Sequence, residues 1–542
     1  MRRASTGLLL IWLAFVVRGG FYALSIPIWE GFDEYAHFAF VHHVSTFGTL
    51  PARSERISAE IDQSLRLAPL PWSLKQWPAP SLTHDMFWQQ AAEVRAQRVD
   101  DLRRLPSQLQ RQRGNEDLYE WKQPPLFYWM GAAVLKVAAA GLPARVFTLR
   151  LVNVLIASLL VPITYLIARA AFGEPGLALG AAAILTALPG LFITITRVSN
   201  DALAIVLFSL ATLWIVRGDT GERRPWIYLG VTLGAGFLTK AYFVASIPAV
   251  LLAALVALVR SGKGKRLQCL LSIAISLSLP LLIAGWWYAG SLTAGSGVWV
   301  DVAPTEGVPI RTLLPLARTV DWWRAASSAF DAHIWLGGWS FLGVPGWMYT
   351  AFRAVFLLSF AGAVLGLIRS RPIERRHLMV FVSLYAGFWL ALMYDAFISF
   401  VNSGTPATTG YYLHAAVAPE VLILAAGLYC LRPLRSVLAG VAGLFVLLEM
   451  YATHFVLIPY YTGIIRHNAD GGLPALHLSQ ALELGWGEIL ARLHLNRPEV
   501  LAYGMFLPIW IVFICSTLLV PLIAPLLLDQ ETRTRYLRRD SR

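Results

Sequence analysis

The sequence predicts an all-α polytopic membrane protein, and three observations carry that reading. Of its 542 residues, 57% are apolar and only 14% charged, against roughly a quarter charged in soluble domains. Apolar runs of about twenty residues, the length that crosses a bilayer as a helix, recur along the whole chain. The Lys and Arg residues gather in short connectors between those runs and in the tail RTRYLRRDSR, where topology determinants belong. A net charge of +13 therefore points to an anionic bilayer surface and excludes nucleic acid as the expected partner. The short alternating segments of a β-barrel are not seen. Cys269, Cys430 and Cys515 lie inside apolar runs, so no disulfide framework is implied.

Taken in order, MRRASTGLLLIWLAFVVRGGFYALS has the basic start of a signal peptide but no small-residue cleavage site, and is expected to stay as the first span, 7–25. Further spans are expected at 148–170, 177–196, 201–217, 226–239, 241–259, 268–288, 347–368, 377–398, 411–431, 437–458 and 503–528, about twelve in all. The stretch 124–142, PPLFYWMGAAVLKVAAAGL, is short, opens on two prolines and carries Lys136. Charge parity decides its place. If it lies along the surface, MRR, Arg169, RGDTGERR, RSGKGKR, RSRPIERR, RPLR and the tail share one face, which is cytoplasmic by the positive-inside rule; if it spans, most of them flip outward. It is read as an interfacial helix. The segment 26–147, the turn RVSND, Lys240, and the loops 289–346 and 459–502 then share the outer face. Residues 51–120 read as surface helices and loop.

The unusual polar residues concentrate on that outer face. In IPIWEGFDEYAHFAFVHHV, a helix from about 33 to 47 would put Asp33 and His37 on one side, with Phe32, Phe38, Phe40 and Val44 at the membrane interface. Asp33 and Glu34 either cap this helix or offer a partly desolvated carboxylate that accepts a proton at neutral pH. Lys122 and Gln123 precede Pro124 and Pro125 at a helix start, where a cation and free N–H groups favour an anion; the alternative is a snorkelling lysine. Arg145 and Arg150 are outward positive charges against the usual trend. Arg150 either binds an anion or pairs with Asp33, Glu34 or Asp201. In ITITRVSNDALAI, Arg197, Asn200 and Asp201 occupy a turn, and taken singly Asn200 or Asp201 reads first as a cap of the following helix. Lys240 in GFLTKAYF is a point charge suited to a phosphate or to snorkelling. Together these make an outward group of acids and cations of the kind that binds a lipid phosphate and removes a proton beside it.

The series FDEYAHF, KQPPLFYW, RLVNVLIASLLVPITYLIARAAFG, SNDAL, GFLTKAYF and GWWYAGS resembles the GT-C superfamily of integral membrane glycosyltransferases. It is most similar to enzymes that use a phospholipid-linked sugar, related to aminoarabinose transferases and protein O-mannosyltransferases. The likeness is good over residues 20–300 and looser beyond, in SFLGVPGW and GYYLHAAVAPEVLILAAGL. It implies a GT-C-like bundle with juxtamembrane helices, a catalytic core over 1–300, an outer loop at 301–346 and further spans over 347–542. It also implies transfer of a sugar from a polyprenyl phosphate to a glycan, lipid or protein acceptor of the cell envelope, at the periplasmic face of a bacterial inner membrane. Asp33, with Glu34 beside it, matches the base; Lys122, Arg150, Arg197 and Lys240 are the cations expected on the donor phosphate; His37, Gln123, Asn200, Asp201, Tyr411 and Tyr412 support them. Gly290 and Ser291 replace the family's arginine and asparagine, Tyr411 replaces its later arginine, and His414 its proline, so head-group contacts in the C-terminal half are expected to differ.

The expected chemistry is an inverting single displacement in which cations stabilise the departing phosphate. A phosphomonoester leaving group demands no metal, although Asp33 and Asp201 are candidates to hold Mg2+ or Mn2+. The competing function classes are a lipid-linked-sugar flippase, for which mid-membrane broken helices are the mark, and a non-catalytic receptor whose outer-loop tryptophans stack on sugars or belt the interface.

Overall fold

The computed structural model describes residues 2–77, 81–138, 141–218, 222–293, 310–369, 372–430, 434–495 and 503–539. Among them ten helices are long and apolar enough to cross a membrane, or eleven if the bent pair Pro175–Ala187 and Pro189–Ile195 counts as one span. That pair was expected to be a single straight span. Leu188 breaks it at φ −68°, ψ 107°, because a residue before proline is pushed out of the helical region and Pro189 has no N–H to continue the ladder. The two halves meet at 64°.

The count falls short of about twelve at Arg223–Phe237, which has 15 residues. At 1.5 Å per residue it is ~22 Å long, against a hydrocarbon core of ~30 Å. After it the chain turns extended at Lys240 (φ −158°, ψ 135°) and enters a 3-10 turn, Ala241–Ser246.

The helix Leu126–Leu135 has ten residues, too short to span, as charge parity requires. Its first amide, Leu126 N–H, donates to Leu238 O at 2.9 Å, tying it to the end of the short helix beside Lys240. Four of the basic connectors, those near 169, 217, 260 and 376, gather at one end of the bundle. Gly218, Trp226, Arg260, Ser261, Lys265 and Gln268 line one cleft of about 290 Å³, Arg376 and His377 approach Trp226, and His377 Nδ1 lies 3.2 Å from Ala171 O. Asp201 opens the helix that ends at Gly218, so the acids and cations of interest lie at the other end.

The first outer segment folds as the helices Glu34–Phe47, Ala59–Leu67 and Ala92–Arg103, with a two-stranded antiparallel ribbon that pairs Arg56–Ser58 with Arg113–Asp117. It has its own apolar core around Trp29, Phe38, Phe40, Ile57, Ile61, Leu65 and Tyr128. Phe32, Phe38, Phe40 and Val44, expected at the membrane interface, are instead at most 7% exposed. Every residue of the helix from Glu34 to Val44 is buried, its polar Glu34 and three histidines included, so protein encloses it on all sides. The expected outer loop 301–346 begins within 294–309, which lies outside the described residues, as does Trp299; its later part forms the helix Trp322–Ile334 and a tight turn at 338–341.

Candidate active site

Asp33 immediately precedes the helix Glu34–Phe47 and has φ 57°, ψ 15°, a left-handed conformation; its side chain makes no cap hydrogen bond. The capping account of this acid therefore fails. Its carboxylate accepts instead from the Tyr119 hydroxyl, across 86 residues of chain. Burial raises the Asp33 pKa above the ordinary carboxylate value, while the Tyr119 hydrogen bond and the charges of Arg197 and Lys240 temper the rise. Among the described residues only Trp29, Asp33 and Phe341 are non-glycine residues at positive φ. Such conformations are costly and persist where the surroundings over-determine them.

Glu34, one residue on, has a different fate. Its Oε1 accepts from Arg150 Nε at 2.7 Å and Val198 N–H at 2.9 Å; its Oε2 accepts from Arg150 Nη2 at 2.5 Å and Trp29 N–H at 3.0 Å. The remaining Arg150 protons go to Ala23 O, Ile26 O and Pro27 O at 3.2, 2.6 and 2.8 Å. Both side chains are buried. Neither the expected catalytic place of Glu34 nor the expected phosphate-binding place of Arg150 fits this geometry, since each is saturated by the other and by backbone. Arg145, the other outward arginine, likewise meets Glu60 at 2.6 Å.

Arg197 and Lys240 form the cationic part. Asp201 holds them together: Arg197 Nη2 donates to Oδ2 at 2.6 Å, Lys240 Nζ donates to Oδ1, and Ser199 Oγ donates to Oδ2 at 3.2 Å. Gly31 lets the turn come this close, because a Cβ there would stand 2.5 Å from Arg197 Cβ. Burial alone would lower the Arg197 pKa, but Asp201, Tyr411 and Asp33 outweigh it and raise it. Tyr411 stacks over the guanidinium at 4.2 Å and Tyr412 lies 4.9 Å from Lys240 Nζ. Arg197 Nη1 is buried with no hydrogen-bond partner among the described residues. A buried donor left unmet is uncommon and calls for an acceptor.

The supporting residues fall into two groups. Asn200 Nδ2 donates to Thr239 O at 2.9 Å and to Gln123 Oε1 at 3.1 Å, which draws Lys122 and Gln123 toward the turn before Lys240. His37 turns away, its Nδ1 2.8 Å from the Tyr128 hydroxyl; burial, and secondarily Lys240, lower its pKa to about 3, so it stays neutral. Tyr119, three residues before Lys122, gives no signal in the sequence, because a phenol carries no charge. Asn153, whose Nδ2 donates to Arg197 O and Ser199 O at 2.7 and 3.1 Å, is marked in the sequence only as a lone amide within an apolar run. Asp201 has both oxygens engaged by cations, and among the described residues no three His, Cys, Asp or Glu side chains cluster as ligands.

Residues 122–287 match the family model described as dolichyl-phosphate-mannose-protein mannosyltransferase. The chain is 27% identical over 312 residues to the undecaprenyl phosphate-alpha-4-amino-4-deoxy-L-arabinose arabinosyl transferase of Pseudomonas aeruginosa, covering 56% of this chain and 49% of that one. A counterpart from Pseudomonas fluorescens is 29% identical over 176 residues, 30% of each chain. The chain spans about half the length of the curated relatives it matches. Among solved structures, apo ArnT from Cupriavidus metallidurans superposes with a TM-score of 0.43 and 16% identity, over 97% of this chain and 77% of that one. In sequence the chain is thus related to bacterial aminoarabinose transferases and, over 122–287, to protein mannosyltransferases, which bears out the resemblance read from its motifs.

Proposed function

We propose that this protein transfers a sugar from a polyprenyl-phosphate donor to an acceptor hydroxyl, at the periplasmic face of a bacterial inner membrane. One observation carries the reading: an uncapped, half-buried Asp33 lies within electrostatic reach of a buried cation pair in which Arg197 Nη1 has no acceptor among the described residues. A donor phosphate oxygen would supply that acceptor, with Lys240 contributing a point charge and Lys122 a further one at the rim.

Asp33 takes the proton of the acceptor hydroxyl as its oxygen bonds to the anomeric carbon. The bond from that carbon to the phosphate oxygen breaks, and the polyprenyl phosphate departs with the electron pair. Arg197 and Lys240 stabilise the charge that grows on it. Asp201 keeps the two cations from repelling each other, and the Tyr119 hydroxyl holds Asp33 in line. Glu34 and Arg150 take no part beyond bracing the turn.

The test uses Asp33→Asn in nanodiscs with undecaprenyl phosphate-linked aminoarabinose and a glycolipid acceptor. Transfer should fall at least about a hundredfold while undecaprenyl phosphate still binds. Unchanged turnover would sink the assignment.

A further inference from the structure

A wall of aromatic rings that the reaction above does not use packs on Phe32 and Tyr35, and Tyr35 in turn meets the ring of Tyr119, whose hydroxyl reaches Asp33. Trp77 and Trp339 flank Tyr35, with ring centroids at 5.3 and 6.3 Å. Trp339 and Phe341 stand 6.1 and 6.3 Å from Phe32, the residue before Asp33. Phe341 has φ 51° and yet leaves its ring 48% exposed. The strain of that conformation is therefore not offset by burying the ring.

The turn carrying these rings is held from beneath. Glu30 O accepts from Trp339 N–H at 3.0 Å, and the Glu30 carboxylate accepts from Ser340 N–H and Oγ–H at 2.7 and 3.1 Å. Glu30 is fully buried, 3.2 Å from His84 Nε2. Trp77 is oriented separately, its Nε1–H donating to Glu116 Oε2 at 2.9 Å. Two segments more than two hundred residues apart thus present partly open rings on the two residues that flank Asp33 and Glu34, with Glu116 on Trp77 and the Tyr119 phenol linking Tyr35 to Asp33.

We propose that this wall binds the face of a sugar ring, with Trp339 and Phe341 as the platform and Trp77 as its flank. A sugar has an apolar C–H face and a polar hydroxyl rim. Aromatic faces bury the first, while Asp33, Glu116 and Tyr119 accept from or donate to the second. The inference rests on the transferase reading, and the ring belongs either to the donor or to a carbohydrate acceptor.

The test titrates the full chain in nanodiscs with soluble glucosamine and mannose disaccharides, followed by saturation transfer from aromatic protons. Separate arms add undecaprenyl phosphate, bare or aminoarabinose-linked. Phe341→Gly suits the left-handed backbone and removes only the ring; it and Trp339→Ala should each weaken saccharide binding about tenfold. Trp339→Tyr should recover most of it, and bare undecaprenyl phosphate should bind all variants alike. Displacement of the disaccharide by the sugar-linked lipid, but not by the bare lipid, assigns the platform to the donor; simultaneous binding assigns it to the acceptor. Absence of saccharide binding, binding unaffected by both ring removals, or an equal loss of bare undecaprenyl phosphate would overturn the proposal. Unchanged transfer in Asp33→Asn would sink the reaction assignment and leave this binding result standing.

Discussion

Glu34 and Arg150 form a buried bidentate pair, 2.7 Å at Nε and 2.5 Å at Nη2, that joins the first outer helix to the span 142–172. Removing one partner of such a pair strands a charge and costs about 3–5 kcal/mol. Glu34→Gln should therefore lower the unfolding temperature in detergent markedly. The folded fraction should keep its affinity for undecaprenyl phosphate. A normal unfolding temperature with lost phosphate binding would return Arg150 to the donor site.

The acid limb of the transfer rate should lie above the ordinary aspartate range, because burial raises the Asp33 pKa and the reaction needs the ionised form. The Tyr119 hydrogen bond opposes that rise. Tyr119→Phe should therefore shift the limb to still higher pH, with the rate in the alkaline plateau reduced less than the rate at pH 5. A limb that stays in place, or moves to lower pH, contradicts the role given to the phenol.

Lys240 and Arg197 share Asp201, so removing one cation leaves the other paired. Lys240→Gln should weaken undecaprenyl phosphate binding by roughly ten- to a hundredfold, the worth of one hydrogen bond to a charged group. Binding should also become less sensitive to salt. Equal binding by mutant and parent, measured by lipid competition in nanodiscs, would remove Lys240 from the phosphate site.

Chelation offers a separate check on the acids. With both Asp201 oxygens engaged by Lys240 and Arg197, EDTA should leave the transfer rate within about twofold, since hard divalent ions need free carboxylate oxygens. A rate abolished by EDTA and restored by Mg2+ or Mn2+ would show that Asp201 exchanges its cationic partners for a metal.

Much of the molecule was legible in its residues. The apolar runs marked the spans, and the parity of basic connectors kept residues 124–142 out of the bilayer, in keeping with the ten-residue helix found there. Hydropathy is blind to geometry: Pro189 bends the span expected at 177–196, and the helix at 226–239 stops at 15 residues. Within the site, Asp33, Arg197, Asp201 and Lys240 were identified as one outward group, and the structure gathers them. Tyr119 and the tight turn 338–341 escaped notice because they approach Asp33 only through long-range folding of outer segments.

The sequence by itself determined that this is a helical membrane protein with its unusual acids and cations at one end. The bilayer imposes the same length and charge rules on every span, whatever its neighbours. Only the tertiary structure decided which of two adjacent acids is available, and which arginine is spent. Asp33 lies outside the helix in a left-handed conformation that turns its carboxylate toward Tyr119, whereas Glu34, the first helical residue, points into Arg150. One step along the backbone reverses the direction of a side chain, and no local pattern records what waits on either side.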